Sequence, residues 1–206
     1  MTKHLLVTGP DGTLKNAFHL AQQVYPQRQV LMCPIPVKDY YEFDFSALSA
    51  FSVREWEISA PVNEFYINDV RRAFCQEIIE AGYKVASLIS PHAHIDPSAR
   101  IGVNAIVHAG CFVGADSSIG DHCVLHPNTV LTEDVVIGDY VTLEANVTIR
   151  EQCAIGSFVT ICANSSVMRA TQIGAHCYLN IAKQYSGTIP SCTFYSPMFP
   201  NPVQVI

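Results

Sequence analysis

Ile101 to Gly138 reads IGVNAIVHAGCFVGADSSIGDHCVLHPNTVLTEDVVIG. Within it Ile101, Val107, Val113, Ile119, Leu125, Leu131 and Ile137 stand six residues apart. Carried in both directions, the same step meets an aliphatic residue at sixteen successive positions, from Ile89 to Leu179. Four residues after each comes a second set, small or β-branched, that includes Ala105, Cys111, Ser117, Cys123, Thr129 and Val135. Ile-Gly recurs every eighteen residues, at Ile101, Ile119, Ile137, Ile155 and Ile173. A six-residue rule sustained this long marks a parallel β-helix, and three such steps make one coil of a three-sided prism. The aliphatic column points inward, where burying one such side chain stabilises by roughly 1.5–3 kcal/mol. About five coils are expected, each adding ~4.8 Å along the axis. The glycines of Ile-Gly are expected at the turns, where a missing Cβ removes a steric penalty.

Working outward, the rule fails after Leu179, because Lys183 falls in the small interior slot. The remaining segment, residues 185–206, carries Pro190, Pro197, Pro200 and Pro202 and is too proline-rich for helix. It is expected as an extended tail, with the β-helix spanning residues 87–184. Before the repeat, residues 1–86 read as a small α/β domain. His4 to Thr8 is a strand, Gly9-Pro10-Asp11-Gly12 a turn, and Thr13 to about Val24 a helix. Strand, glycine-bearing turn and helix N-terminus resemble half of a nucleotide-binding unit. Val30 to Cys33 and Phe65 to Ile67 read as further strands. Tyr40 to Val53 reads as irregular or weakly helical. A helix capped by Asn68 or Asp69 is closed by Gly82 at its C′ position.

Composition narrows the function. Of 206 residues 49% are hydrophobic and 15% charged, with a net charge of −6, which suits a packed globular chain. No basic run offers a surface to nucleic acid or anionic lipid. No apolar run approaches the ~20 residues that insert across a bilayer. Met1-Thr2-Lys3-His4 leads into a strand and does not read as a signal peptide. Cys111, Cys123, Cys153 and Cys177 all occupy the small interior slot, so they read as core thiols. No C-x-x-C occurs, and no metal is expected. Reduced thiols place the chain in the cytoplasm.

Folding the repeat into coils arranges its polar residues in columns. At the second hexad position one column is glycine throughout: Gly102, Gly120, Gly138, Gly156 and Gly174. Another reads Gly114, Thr132, Arg150 and Met168, and the third reads His108, His126, Glu144, Cys162 and Asn180. Neighbours in a column lie about 5 Å apart at the backbone. His126 beside Glu144 is a base beside a carboxylate, the pairing that orients an imidazole. A polar ladder at an edge, or a subunit contact, would use the same residues. At the fourth position Asn104, His122, Tyr140, Phe158 and His176 form a ring column suited to an interface.

Several stretches carry a family resemblance. They are Leu5-Leu6-Val7-Thr8-Gly9, the helix from Asn68 to Gly82 with Tyr83-Lys84, the entry Leu88-Ile89-Ser90-Pro91, and the hexads from Ile95 onward. The chain resembles the bacterial sugar acyltransferases of the sialic acid O-acetyltransferase and bacillosamine N-acetyltransferase type. The resemblance implies a small Rossmann-like domain followed by a left-handed parallel β-helix. It implies a homotrimer with acyl-CoA, acetyl-CoA by default, in the groove between adjacent β-helices. Gly138, Gly156 and Gly174 are the positions assigned to that co-substrate. It also implies a nucleotide-linked amino sugar held by the N-terminal domain, for which Gly9, Gly12 and Asn68 are the matching candidates. The family's Gly-x-Gly-Gly-His turn reads Gly9-Pro10-Asp11-Gly12-Thr13 here. Its catalytic histidine, in Glu-His-Asp-Cys before an Ile-Gly, is matched by Glu133 in Thr132-Glu133-Asp134-Val135. A second family histidine is matched by Thr142.

Three functions follow as expectations. The first is acyl transfer from acyl-CoA to an amine or hydroxyl of a sugar, as in cell-surface glycan assembly. Its base is either His126 with Glu144, acting across a subunit interface, or Glu133 with Asp134 and Glu151 nearby. Cys162 is a third candidate, as an acyl-accepting nucleophile. The second is a non-catalytic homologue that binds a ligand or partner. The third is a metal enzyme resembling γ-class carbonic anhydrases, with His108 and His126 sharing an ion with a third histidine from the next chain.

Overall fold

The computed structural model describes residues 3–10, 14–39, 41–62 and 68–204. It divides into two compact units, Met1–Ser90 and Pro91–Ile206. In the first unit, β1 (His4–Gly9) is the middle of a parallel three-stranded sheet, followed by α1 (Leu14–Val24). Its neighbours are β2 (Val30–Pro34) on one side and, beyond the small hairpin of β3 (Val37–Asp39) and β4 (Glu42–Phe43), β5 (Trp56–Ser59) on the other. Leu5, Leu6 and Val7 are wholly buried, as expected for a central strand covered on both faces. The expected strand at Phe65 to Ile67 lies outside the described residues, as do Asp11, Gly12 and Thr13. The third strand of the sheet is Trp56–Ser59, a segment the hydrophobic pattern passes over because Arg54, Glu55 and Glu57 interrupt it. The aromatic segment forms a 3-10 helix, Phe45–Ala50, capped by the Asp44 carboxylate on the Ser46 N–H.

α2 (Asn68–Glu80) ends as its sequence predicts. Gly82 adopts φ +88° and donates to the Ile79 carbonyl, while Tyr83 donates to that of Ile78. These two bonds are a Schellman ending, and Tyr83 packs in the same core as Ile78.

The second unit is a left-handed parallel β-helix of hexapeptide repeats. Two-residue strands stack coil on coil into three sheets. A first face runs from His94–Ile95 through Phe112–Val113, Val130–Leu131, Thr148–Ile149 and Ser166–Val167 to Gln184–Tyr185. A second runs from Arg100–Ile101 to Thr188–Ile189, and a third contains Ile106–Val107 through Thr193–Tyr195. From Val107 to Leu179 no residue of the aliphatic column is more than 3% exposed.

Three expectations change. First, there are six coils, since the first two sheets each hold six strands. The supposed tail continues the ladders, with Gln184–Tyr185, Thr188–Ile189 and Thr193–Tyr195 pairing onto the coil before. Ile189 follows Tyr185 by four positions in place of six, so two residues are missing from the hexad. A turn at Gly187, φ +76°, takes up the difference. Lys183 does not enter the core; its ammonium lies 4.3 Å from the Tyr195 ring centre and 5.0 Å from that of Tyr185. Aromatic rings, Tyr185 edge-on to Tyr195, replace aliphatics at this end.

Second, the left-handed backbone belongs to the fourth hexad position. Asn104, Asp116, His122, Asn128, Asp134, Tyr140 and their successors to His176 all have φ between 50° and 62°. The Ile-Gly glycines have no positive φ. They are small because the next coil is close: a Cβ on Gly138 would stand 2.6 Å from the Ser157 nitrogen, and one on Gly156 2.6 Å from that of Ala175.

Third, the interior cysteines do more than fill space. The thiols of Cys111, Cys123, Cys153 and Cys177 lie 3.0–3.1 Å from the carbonyls of His126, Gly138, Met168 and Pro190, where Ser117 places its hydroxyl on Thr132. Burial pushes the Cys111, Cys153 and Cys177 thiols up, which keeps them protonated as donors.

Candidate functional site

Each coil has three edges. The glycine edge follows the second face, the histidine edge follows the third, and the Glu133 edge follows the first.

The glycine edge is closed by its own side chains. The Asp121 carboxylate accepts from the Val103 N–H at 2.8 Å, Asp139 from the Asp121 N–H at 2.9 Å, and the Ser157 hydroxyl from the Asp139 N–H at 3.0 Å. Above them the His122, Tyr140, Phe158 and His176 rings stack within 8° of parallel at 4.6–5.1 Å. Gly138, Gly156 and Gly174 lie here, and the coil above accounts for each.

At the histidine edge His108 and His126 stack, with ring centres 5.5 Å apart and planes 18° apart. Lone pairs on an imidazole lie in the ring plane, so face-to-face rings do not converge on one ion. Among the described residues no three His, Cys, Asp or Glu side chains come together. Glu144 directs one carboxylate oxygen to the Ala163 N–H of the next coil, 2.9 Å away. An asparagine ladder closes this edge: Asn128 donates to Asn146, and Asn146 to Asn164. Cys162 lies 3.4 Å from the Ser165 hydroxyl. Burial pushes its thiol up, and the Glu144 charge adds to that, which opposes the thiolate a nucleophile needs.

The Glu133 edge is different. Its second-position column places Gly114 between Asp96 and Thr132, and its third-position column places Ala115 beneath Glu133. Both gaps fall at one coil, and the result is a cleft of about 310 Å³ lined by Asp96, Phe112, Gly114, Ala115, Thr132 and Glu133. The glycine is enforced by the backbone, since a Cβ there would meet the Thr132 carbonyl oxygen at 2.2 Å. Phe112 forms one wall, stacked on His94 at 5.1 Å and 39% exposed. Asp96 is fixed: its carboxylate accepts from both the Ser98 hydroxyl (2.6 Å) and the Ser98 N–H (2.9 Å), and these hold it below the usual carboxylate range. Ser98 in turn accepts from the Asp116 N–H. The N–H groups of Ala115 and Glu133 meet no acceptor among the described residues.

Asp134 adjoins Glu133 but is exposed, at φ 57°, a backbone that aspartate tolerates better than most residues. Glu151, one coil on, is held by Arg150 at 3.0 Å. Its own N–H and that guanidinium lower its carboxyl, so it does not act on Glu133 as an uncompensated charge. Sequence reasoning missed Asp96, Phe112 and Ala115, whose meaning appears only when three coils are stacked.

In the first unit Gly9 ends β1 where a Cβ would lie 2.5 Å from the Pro61 carbonyl oxygen. Asn68 begins α2 and is 5% exposed. Arg71, in the same helix turn, is buried and donates to the Val62 carbonyl. An Arg-Arg pair on a helix gives no hint that one member is internal.

The family description "Bacterial transferase hexapeptide (six repeats)" matches residues 116–151. No curated protein matches the chain. The acetyltransferase domain of PglB from Neisseria gonorrhoeae superposes with a TM-score of 0.81 at 20% identity, over 95% of this chain and 98% of that one. PerB from Caulobacter crescentus, solved with CoA and GDP-perosamine, gives 0.79 at 19% identity over 96% of both chains. WeeI from Acinetobacter baumannii gives 0.62 at 16% identity, over 94% and 96%. The chain therefore carries the bacterial transferase hexapeptide repeat and shares the fold of these proteins along nearly its whole length.

Proposed function

We propose that the protein is an acyl-CoA-dependent acyltransferase, with acetyl as the acyl group. It acts on an amine or hydroxyl of a sugar or nucleotide-linked sugar, as a homotrimer in the cytoplasm. One observation carries the reading: a cleft of the β-helix opens at Glu133, on a fold shared end to end with an acetyltransferase domain and with a protein that holds CoA and GDP-perosamine. Attack on a thioester needs a proton acceptor near the nucleophile and donors for the developing oxyanion. Glu133 supplies a carboxylate at the cleft, and the Ala115 and Glu133 N–H groups supply donors. Phe112 gives an apolar wall for a sugar face or an acyl chain. No helix is long and apolar enough to cross a membrane among the described residues.

The test is release of free CoA thiol from acetyl-CoA in the presence of a panel of nucleotide-linked amino sugars. Glu133→Gln is expected to lower kcat by about 100-fold or more, the usual worth of acid–base catalysis, with folding unchanged because Glu133 is exposed. No calorimetric binding of acetyl-CoA at millimolar concentration would remove the reading in favour of a binding homologue.

A further inference from the structure

The last coil of the β-helix is finished unlike those below it. In the coil before it the N–H groups of Ser166, Met168, Gln172 and Gly174 donate to the carbonyls of Lys183, Tyr185, Gly187 and Ile189 above. The residues in that same register on the last coil are Gln184, Ser186, Thr188 and Pro190. The N–H groups of the first three meet no acceptor among the described residues, and Pro190 has no N–H to offer. Gln184, Ser186 and Thr188 are exposed. The third sheet ends otherwise. Val203–Gln204 returns antiparallel onto Thr193–Tyr195, with Val203 opposite Phe194, and the Gln204 amide donates to the Ser191 carbonyl. Over the core, Tyr185 and Ile189 are 2% and 4% exposed, and the Lys183 ammonium lies against the Tyr185 and Tyr195 rings.

We propose that this end is a self-association surface held shut, with Lys183 and the strap of residues 196–204 keeping it from pairing with the same end of a second copy. The proposal is independent of the acyl-transfer reading.

A bare sheet edge is a template for another chain, and edges are blunted by proline, by an inward-pointing charge or by a covering segment. All three occur here, at Pro190, Lys183 and Val203–Gln204. The surface they guard is otherwise uncharged: across residues 170–204, Lys183 is the one Lys, Arg, Asp or Glu. Charge depletion of this kind marks the centre of an interface. The occupant is a second copy because the pairing direction is already displayed. Val203–Gln204 shows that the end of the third sheet accepts an antiparallel strand. A twofold axis across the prism supplies that direction at every sheet, setting Thr193–Tyr195 on its own mate and Gln184–Tyr185 on Thr188–Ile189 of the other copy. Such a contact is isologous and closed, and antiparallel residues exchange N–H and C=O groups directly.

The same axis brings two Lys183 ammonium groups between the two cores with no carboxylate near them. Like charges taken out of water together oppose the contact. The strap opposes it sterically, since it holds the edge of the third sheet and carries Met198, 83% exposed, and Phe199 beyond it. Each guard acts on a different term, so removal of both is needed to bare the surface.

Sedimentation equilibrium tests this. Lys183→Met keeps the side-chain stem and removes the charge, and a chain ending at Ser196 lacks the strap. The two changes together are expected to double the wild-type mass as concentration rises, while wild type keeps a single size. Adding Thr188→Lys, a charge on the bared edge, should return the variant to the wild-type mass. A folded double variant of wild-type mass overturns the proposal. So does a doubling that Thr188→Lys leaves intact, because the contact then lies elsewhere. If loss of the strap unfolds the last coil, the full chain carrying Lys183→Met, Val203→Pro and Gln204→Pro is read in the same way, since the prolines remove the strap's backbone donors.

Discussion

The glycine edge and the Glu133 edge are built from the same hexad, yet one is sealed and the other open. At the glycine edge the coils from Gly120 to Gly156 closely repeat one another. Glycine lies over glycine, Asp121, Asp139 and Ser157 each cap the N–H below until Ala175 ends the ladder, and four rings stack without a break. At the Glu133 edge the columns change character at each step, from Asp96 to Gly114 to Thr132, and from Ala115 to Glu133. A repeat that satisfies its own backbone leaves nothing for a ligand. Where it fails to repeat, side chains of unlike size lie one coil apart and a cleft opens between them. On such a scaffold, the departures from the ladder indicate chemistry better than the ladder itself.

The sharpest way to break this contrast is to force a side chain into the sealed edge. Gly138→Val places atoms against the Ser157 nitrogen and hydroxyl, 2.6 and 2.7 Å from an added Cβ. The backbone of the next coil cannot yield without lengthening sheet bonds. A loss of about 3 kcal/mol is expected, at the upper end of overpacking costs, read from denaturant unfolding. At the open edge Ala115→Ser adds an atom facing the cleft and should cost less than about 0.5 kcal/mol, while changing the acceptor KM. Equal losses at both positions would mean that the open edge is as tightly coupled as the sealed one.

A milder perturbation sharpens the comparison. Phe158 stacks between Tyr140 at 5.1 Å and His176 at 4.6 Å. Phe158→Ala removes two ring contacts, each worth about 0.5–1.5 kcal/mol. Stability should fall by about 1–3 kcal/mol while acyl transfer is retained. A collapse of activity at unchanged stability would move the functional site to the glycine edge.

How far the sequence discloses this contrast follows from the range of each interaction. The hexad is legible because every inward position obeys one rule, and burial from Val107 to Leu179 follows it. Gly82 is legible because a Schellman ending is a local event. The sixth coil is not: deleting two residues before Ile189 breaks the count while preserving the strand pairing, and only the sheet reveals the shift to a sixteen-residue coil. The role of the Ile-Gly glycines is legible in place but not in cause, since the crowding comes from residues eighteen positions away. The strand Trp56–Ser59 escapes because pairing with β1, not its own pattern, buries it. Glu133 stands out only against a family pattern. Asp96 and Phe112 join it through the stacking of three coils, which no linear pattern states.

The smallest expected effect concerns the floor of the cleft. Asp96 accepts two bonds from Ser98, one from its hydroxyl and one from its backbone N–H. Both favour the charged carboxylate, and its pKa is lowered. Because the folded value lies below the unfolded one, this contribution to stability is complete above the unfolded pKa of about 3.9. It is lost as pH falls through the lower folded value. Ser98→Ala removes the hydroxyl bond, keeps the N–H bond and frees the Asp116 N–H. The Asp96 titration, followed by NMR of its carboxyl carbon, should move up toward the ordinary range without reaching it. At neutral pH the carboxylate remains charged in both proteins, so acyl transfer should change little there and differ only in acid. If instead Ser98→Ala slows transfer strongly at neutral pH, the placement of Asp96 matters more than its charge, and the cleft is a shaped site whose floor must be rigid. That would set the two edges closer together, since the Glu133 edge would also depend on a side chain bonded across coils.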